Sequence, residues 1–90
     1  MLKLNVTNSA LDFLENLPAK QFKQLVNTLF ALLKNPTPHD SQLLKGYSYR
    51  RVDCGEYRII YQIQTDELQV ILIGKRNDDD VYKKLKRLFS

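Results

Sequence analysis

The first third of the chain passes from strand-like to helix-like spacing of its apolar residues. Residues 2–6 alternate apolar and polar side chains, which predicts a short strand. Ser9, with Asp12 three positions later, matches a capping box, so we expect a helix to begin there and to end at Pro18. A second helix is predicted over residues 19–34, where apolar side chains recur at helical spacing up to an Asn-Pro pair. Together they predict a helical hairpin with one apolar side.

The second half of the chain has the pattern of a sheet. Three runs rich in Tyr, Val and Ile, at residues 49–52, 57–64 and 68–73, are typical of strands. Their connections are short, which favours an antiparallel meander. A last helix is predicted over residues 79–88, capped by Asn77 or Asp78, with acids at its start and basic residues towards its end. The sequence thus predicts one α+β domain over residues 1–90, in the order β-α-α-β-β-β-α, with an antiparallel sheet packed against the hairpin.

The strand register decides which side chains share a face of this sheet, since a slip of one residue turns a strand over. A two-residue turn between the first two strand-like runs places Arg51 directly opposite Arg58. A three-residue loop at residues 65–67 places Arg58 opposite Gly74, and Arg76 then extends past the strand end on the same face. We therefore expect three arginines on the face away from the hairpin.

The opposite face of the predicted sheet is uniformly apolar in this register. It carries Ile59, Tyr61, Ile63, Ile71 and Ile73. A two-residue loop at the second connection would instead place isoleucines beside Arg58 and mix the two faces. We favour the three-residue loop because it gives the hairpin one continuous apolar surface.

The arginines on the other face need a counter-charge. Two guanidinium groups about 6 Å apart repel by roughly 3 kcal/mol at an effective dielectric constant of 20. One possibility is ordinary surface salt bridges with Asp53, Glu56 or the acids at residues 78–80. The other is a phosphate-binding site, since the arginine fork matches phosphate oxygens. Tyr82 on the last helix either packs in the core or stacks on an RNA base.

Composition narrows the class of protein further. The chain has 90 residues and a net charge of +4, with most of the basic excess after residue 44. A modestly basic domain is compatible with a nucleic acid or an acidic protein as partner. The single cysteine excludes an internal disulfide and a cysteine-based zinc site, and the single histidine, His39, has no second His or Cys with which to form a metal site. There is no apolar run long enough for a membrane helix and no apolar leader, so we expect a cytoplasmic protein without metal or cofactor.

Several short motifs resemble the RelE/ParE superfamily of bacterial toxins, on the RelE-like branch. They are Leu44-Lys45-Gly46, Arg51, the strand Gly55-Glu56-Tyr57-Arg58-Ile59-Ile60-Tyr61, Gly74-Lys75-Arg76, and Val81-Tyr82. The order of helices and strands agrees, and the resemblance covers essentially the whole chain. It implies a toxin of a type II toxin–antitoxin module.

The resemblance to RelE further implies a metal-independent endoribonuclease that cuts messenger RNA in the ribosomal A site. The 2′-hydroxyl of the RNA attacks the adjacent phosphorus, and Arg51, Arg58, Arg76 and Tyr82 are the implied catalytic residues. Lys45, Arg50 and Lys83 are predicted to bind RNA. The chain departs from the family at Tyr49 and Asp53, where relatives often have basic residues. The identity of the group that accepts the 2′ proton is therefore open.

Toxins of this kind have a protein partner and more than one kind of target. The implied partner is a cognate antitoxin in a hetero-oligomer, and it is expected to bind through Tyr82, Lys83, Lys84 and Arg87. Besides the bacterial ribosome and its messenger RNA, DNA gyrase is the target of ParE-like toxins, which carry out no chemistry of their own. A third possibility is a non-toxic remnant that only binds its partner.

Overall fold

The computed structural model describes residues 1–77 and 80–88. Its elements are β1 Lys3–Val6, α1 Asn8–Glu15, α2 Ala19–Lys34, β2 Gln42–Leu43, β3 Arg50–Cys54, β4 Tyr57–Gln64, β5 Glu67–Lys75 and α3 Asp80–Leu88. The small single-domain α+β fold is confirmed. One short strand, β2, was not predicted. None of the described helices is long and apolar enough to cross a membrane.

The helical hairpin forms as predicted, but its first helix differs at both ends: the cap at its start is another residue, and α1 ends at Glu15, three residues before Pro18. The N-cap of α1 is Thr7, whose Oγ1 accepts a hydrogen bond from the backbone N–H of Ala10 (3.2 Å). Ser9 lies inside the first turn, so its predicted capping role is wrong. Thr7 Oγ1 also donates to the Ile71 carbonyl (2.7 Å) and so ties the helix to the sheet. α2 ends at Lys34 as expected.

The sheet has five strands in the order β1-β5-β4-β3-β2. β1 pairs with β5 in parallel, with Lys3 opposite Glu67 and Val6 opposite Val70, whereas the other pairs are antiparallel. The sheet is therefore mixed, and the prediction of an antiparallel sheet holds only for β2 to β5. β1 and β5 can pair in parallel because the chain between them, which includes the hairpin and β2 to β4, is long enough for the crossover that a parallel pair requires.

The turn between β3 and β4 lies one residue later than predicted. Gly55 and Glu56 form it, with Gly55 at a φ of +60°, so that Asp53 pairs with Arg58. Arg51 therefore lies opposite Ile60 and not opposite Arg58. The slip is two positions along the partner strand, which leaves every side chain on its predicted face.

The β4–β5 connection reaches the predicted pairing by another route. Its turn has two residues, Thr65 and Asp66, and the predicted three-residue loop is wrong. A bulge then shifts the register between Ile60 and Tyr61, which restores the predicted pairing of Arg58 with Gly74. The extra residue is Ile71.

Two apolar cores lie on the two sides of the sheet. The hairpin packs on the face that carries Ile59, Tyr61 and Ile73, as predicted, and the Tyr61 hydroxyl donates to the Pro36 carbonyl (2.7 Å). Ile63 is on this side but 36% exposed. Ile71 contacts the other core, because the bulge reverses its expected position. That second core holds α3 against the sheet through Leu44, Ile60, Leu72, Val81 and Leu85.

The approach of α3 to the sheet depends on Gly74. A Cβ at this position would lie 2.6 Å from Asp80 Oδ2 and 2.9 Å from Val81 Cγ1. Asp80 Oδ2 also accepts a hydrogen bond from the Lys75 backbone N–H (3.3 Å). The predicted cap Asp78, and Asp79 at the predicted helix start, lie outside the described residues. The described helix begins at Asp80.

Candidate nucleic-acid site

Strand alternation and α3 bring three of the predicted residues together. Arg51 and Arg58 project from the sheet face that α3 covers, and Tyr82 lies on α3 one residue after the buried Val81. The Tyr82 hydroxyl accepts a hydrogen bond from Arg51 Nη1 (3.1 Å) and another from Arg58 Nη1 (3.1 Å). The Arg58 guanidinium also lies over the Tyr82 ring, 5.7 Å from its centre.

Asp53 holds the other side of the Arg58 guanidinium. Arg58 Nε donates to Asp53 Oδ1 (2.6 Å), and Nη2 donates to Oδ2 (3.2 Å). The hydrogen bonds from Arg58 keep the pKa of Asp53 below its ordinary value of 3.8, against the opposing effect of partial burial, and the charges of Arg51 and Arg76 act in the same direction as Arg58. The carboxylate raises the pKa of Arg58 in turn. Arg58 is thus fixed on two sides.

Arg76 lies at the edge of this group. Its side chain is exposed, and its backbone N–H donates to the Glu56 carbonyl (2.8 Å), which fixes the chain beyond β5 beside the β3–β4 turn. Its charge is near enough to lower the pKa of Asp53. Arg76 therefore adds an exposed positive charge near Asp53.

Of the two explanations offered for the arginine cluster, salt bridges apply to one arginine and not to another. The salt-bridge explanation is confirmed for Arg58, whose partner is Asp53. Arg51 has no carboxylate within ion-pair distance among residues 1–77 and 80–88. Its Nη2 donates instead to the neutral amide of Gln42 (2.6 Å). Among these residues Arg51 therefore has no direct ion pair, and its charge interacts with that of Asp53 at longer range.

A surface cleft of about 340 Å³ opens beside Arg51 and Tyr82. Its other lining residues are Gln42, Leu43, Leu44, Lys45 and Tyr47. Lys45, one of the predicted RNA-binding residues, thus lines the same cleft as Arg51. Gln42 and Tyr47 were missed, because β2 is too short to show as a strand pattern and so gave no register for its neighbours.

Arg50 is not part of this group. It is the strand neighbour of Arg51 and lies opposite the buried Tyr61, so it faces the hairpin side. Its Nη2 donates to Ser41 Oγ (3.0 Å). Through this contact Arg50 ties the loop before β2 to the sheet. Arg50 therefore lies on the other side of the sheet from Arg51, away from the cleft that Lys45 lines.

The basic residues of α3 differ in their surroundings. Lys83 and Arg87 are exposed. Lys84 points back to the sheet, where its Nζ lies 3.3 Å from the Ile73 carbonyl, 3.4 Å from Asp80 Oδ2 and 4.8 Å from the centre of the Phe13 ring. Lys84 therefore fastens α3 to the rest of the protein.

No group of three or more His, Cys, Asp or Glu side chains that could hold a metal ion is present among the described residues. Cys54 is buried, and its Sγ lies 3.0 Å from Thr28 Oγ1 on α2. This position beneath the hairpin fits a packing residue. The side chains that meet at the site carry guanidinium, hydroxyl and carboxylate groups.

The fold is shared with toxins from bacteria and archaea. Isolated RelE from E. coli is 22% identical, with full coverage of both chains and a TM-score of 0.75. RelE of the RelE–RelB complex from Pyrococcus horikoshii OT3 is 19% identical over 86% of this chain and 97% of its own (TM-score 0.76). The YoeB/ParE toxin from Agrobacterium tumefaciens is 21% identical over 83% and 99% (TM-score 0.74). At identities this low, the structural matches show that the fold is common and no more.

Sequence comparison identifies the family. No curated protein matches the chain significantly. The family model described as "ParE toxin of type II toxin-antitoxin system, parDE" matches residues 4–80, which include both hairpin helices, β2 to β5 and all of β1 except its first residue. The chain therefore belongs to the ParE toxin family, within the RelE/ParE superfamily of toxins from type II toxin–antitoxin systems.

Proposed function

We propose that this toxin is a metal-independent endoribonuclease that cleaves messenger RNA in the ribosomal A site and so inhibits translation. The observation that carries the proposal is the convergence of Arg51 and Arg58 on the hydroxyl of Tyr82 at a partly open surface. Two guanidinium groups held at one point suit an RNA phosphate, whose oxygens accept paired hydrogen bonds.

The reaction is a transesterification within the RNA, in which no bond forms between the RNA and the protein. The 2′-oxygen attacks the adjacent phosphorus and loses its proton, while the bond from phosphorus to the 5′-oxygen breaks and that oxygen gains a proton. The products are a 2′,3′-cyclic phosphate and a 5′-hydroxyl. Arg58 and Arg76 would stabilise the negative charge that builds up on the phosphate oxygens, with Arg51 assisting at the same phosphate. Tyr82 would orient the nucleotide.

Asp53 fits this scheme as a positioning residue. It occupies Nε and Nη2 of Arg58 and leaves Nη1 directed at Tyr82. A guanidinium fixed in advance loses little side-chain entropy when the phosphate arrives. The same carboxylate repels a phosphate, so we expect slower cleavage than with a basic residue at this position.

Inducible expression in a bacterium, with primer extension on an abundant messenger, tests the proposal. We expect growth arrest and cuts confined to translated codons. Arg76→Ala should reduce cleavage about 100-fold or more, since it removes one stabilising group from the transition state. Because Arg76 is exposed, its loss leaves the fold intact. Lys23→Ala, which removes an exposed charge from α2, is the matched control and should cut like the wild type.

Gyrase inhibition is the second candidate, and the match to ParE toxins favours it. It predicts growth arrest with intact messages and filamentous cells that carry DNA damage. The same expression experiment separates the two candidates. An absence of both arrest and cuts would indicate a remnant that only binds its partner, in which Arg58→Ala would leave growth unchanged.

We further propose an antitoxin as the protein partner, in a hetero-oligomer in the cytoplasm. RelE from Pyrococcus horikoshii and from E. coli was crystallised with RelB, which supports this proposal by likeness of fold. The exposed Lys83 and Arg87 on α3, beside Tyr82, suit an acidic or amphipathic segment. Such a segment would cover the site that binds RNA.

A further inference from the structure

The cleft beside Arg51 combines positive charge with aromatic rings. Lys45 and Arg51 supply the charge, and Tyr47 and Tyr82 supply the rings. The described residues that line it include no carboxylate. Its volume of about 340 Å³ is at the small end of the range for ligand pockets, which suits a single nucleotide.

The loop that carries Tyr47 is closed by its own backbone. The Leu44 N–H donates to the Tyr49 carbonyl (2.8 Å), and the Tyr47 N–H donates to the Leu44 carbonyl (3.2 Å). Gly46, at a φ of +84°, supplies the left-handed conformation that this tight path requires. The backbone of Tyr47 is therefore fixed before any ligand binds.

The ring of Tyr47 is also held in position. It stacks on the ring of Tyr49, with the ring centres 6.0 Å apart and the planes 8° from parallel. The Tyr47 side chain nevertheless remains 37% exposed at the cleft. An aromatic ring that is both fixed and exposed can stack on a base at low entropic cost, because its orientation is already set.

Gln42 links this cleft to the proposed phosphate site. Its Oε1 accepts from Arg51 Nη2, while Nη1 of the same guanidinium donates to Tyr82. A nucleotide with its phosphate near Arg51 would therefore have its base within the cleft that Tyr47 lines. Cations beside stacked rings are the usual surroundings of single-stranded nucleic acid.

We infer that this cleft is a nucleobase subsite, in which Tyr47 stacks on an unpaired base next to the phosphate held by Arg51. The inference rests on the proposed RNA cleavage and adds to it a determinant of which codons are cut. An acidic peptide would also suit the charges of Lys45 and Arg51, but its carboxylates do not stack on the parallel rings of Tyr47 and Tyr49. A nucleobase does stack on such rings, so they favour RNA.

Cleavage maps of Tyr47→Ala and Tyr47→Phe test the subsite. Alanine removes the stacking surface, so cleavage should fall about 10-fold or more, unevenly among codons. Phenylalanine keeps the ring and should cut the same codons within about twofold of the wild-type rate. Equal rates and identical sites for Tyr47→Ala would overturn the subsite while leaving the cleavage proposal intact. Thermal unfolding of both variants verifies that they fold.

A binding experiment keeps the subsite testable if the wild type cuts nothing. The purified chain is titrated with a trinucleotide whose 2′-hydroxyls are replaced by hydrogen, and NMR follows the ring signals of Tyr47. Saturable shifts at Tyr47 and Lys45, with affinity about 10-fold weaker in Tyr47→Ala, would support the subsite. Shifts that appear only with an acidic peptide, or with neither probe, would overturn it.

Discussion

Arg58 is the residue on which the proposed site depends most closely. Its guanidinium reaches Asp53 through two nitrogens and Tyr82 through the third, and its side chain is only 12% exposed. Arg51, in contrast, donates its hydrogen bonds to the neutral groups of Gln42 and Tyr82. The two arginines therefore differ: Arg58 is fixed by a bidentate ion pair, and Arg51 has no direct ion pair among the described residues.

Asp53→Asn tests the fixed arginine. We expect a loss of up to about 1 kcal/mol in the free energy of unfolding at pH 7, a small value because water screens a carboxylate that is 40% exposed. The pKa of Asp53 is lower in the folded state, so its contribution is present at pH values above 3.8 and is lost as the pH falls through the folded value. Urea unfolding of both proteins between pH 7 and pH 2 measures the difference.

The comparison has a control and a contrary outcome. Glu15→Gln, at an exposed acid on α1, should show much less change with pH. A stability difference between the wild type and Asp53→Asn that is as large at pH 2 as at pH 7 would contradict the ion-pair explanation. The difference would then have to come from packing of the new amide.

For single residues, the sequence predicts the face of the sheet on which a side chain lies better than the residue that it contacts. The period of two along a strand places Arg51 and Arg58 on one face for any turn with an even number of residues, and this was confirmed. The pairing of Asp53 with Arg58 depends on which residues form the turn, and Gly55 can occupy either position of a two-residue turn. Tyr47 and Gln42 lie in segments without periodicity, so no pattern predicted their place.

Among the elements, α3 is the one on which the site's geometry depends. It carries Tyr82 to the arginines, and its approach is possible because Gly74 has no side chain. Lys84 and Asp80 then tie it to the β5 backbone. Because the side chains of Lys84 and Asp80 are partly exposed to water, α3 is easier to displace than the strands beneath it.

Gly74→Ala should push α3 away from the sheet. The new methyl group would lie less than 3 Å from Asp80 and Val81, so we expect a loss of about 1–3 kcal/mol in the free energy of unfolding. Cleavage should fall as well, because Tyr82 moves with the helix. Lys75→Ala, at the exposed neighbouring position, is the control. Denaturant unfolding that is unchanged in Gly74→Ala would contradict the close approach.

The elements differ in how far the sequence could predict them. Both hairpin helices follow from local signals, the apolar spacing and the prolines, and α2 was predicted to the residue. β1 was predicted as a strand, but its parallel pairing with β5 is a contact between residues more than 60 positions apart. No local pattern encodes such a contact. The bulge at Ile71 could not be predicted either. A two-residue turn with a bulge pairs Arg58 with Gly74, and so does the predicted three-residue loop without a bulge.

For the whole molecule, charge is distributed as the sequence indicated. The net charge is +4, and the basic residues of α3 and the arginine cluster lie on the same side of the sheet. The proposed RNA and antitoxin sites therefore overlap at Tyr82. An antitoxin bound there would exclude the substrate by occupying its charges.

Lys83→Ala with Arg87→Ala tests the antitoxin surface. Losing two exposed cations should weaken antitoxin binding about 2- to 30-fold, at up to about 1 kcal/mol for each exposed ion pair, and binding should depend less steeply on salt. Isothermal titration of the purified toxin with its antitoxin measures both effects. Lys20→Ala with Lys23→Ala removes the same charge from α2 and should bind normally. Unchanged affinity in the α3 variant would place the antitoxin elsewhere.

Tyr82 is synthesised after every other residue of the arginine cluster. The sheet and its arginines leave the ribosome before α3, because α3 is the last element in chain order. A nascent chain that already holds Arg51 and Arg58 still lacks the ring on which they converge. Under the proposed activity we expect a product that stops before α3 to be inactive, because it lacks Tyr82.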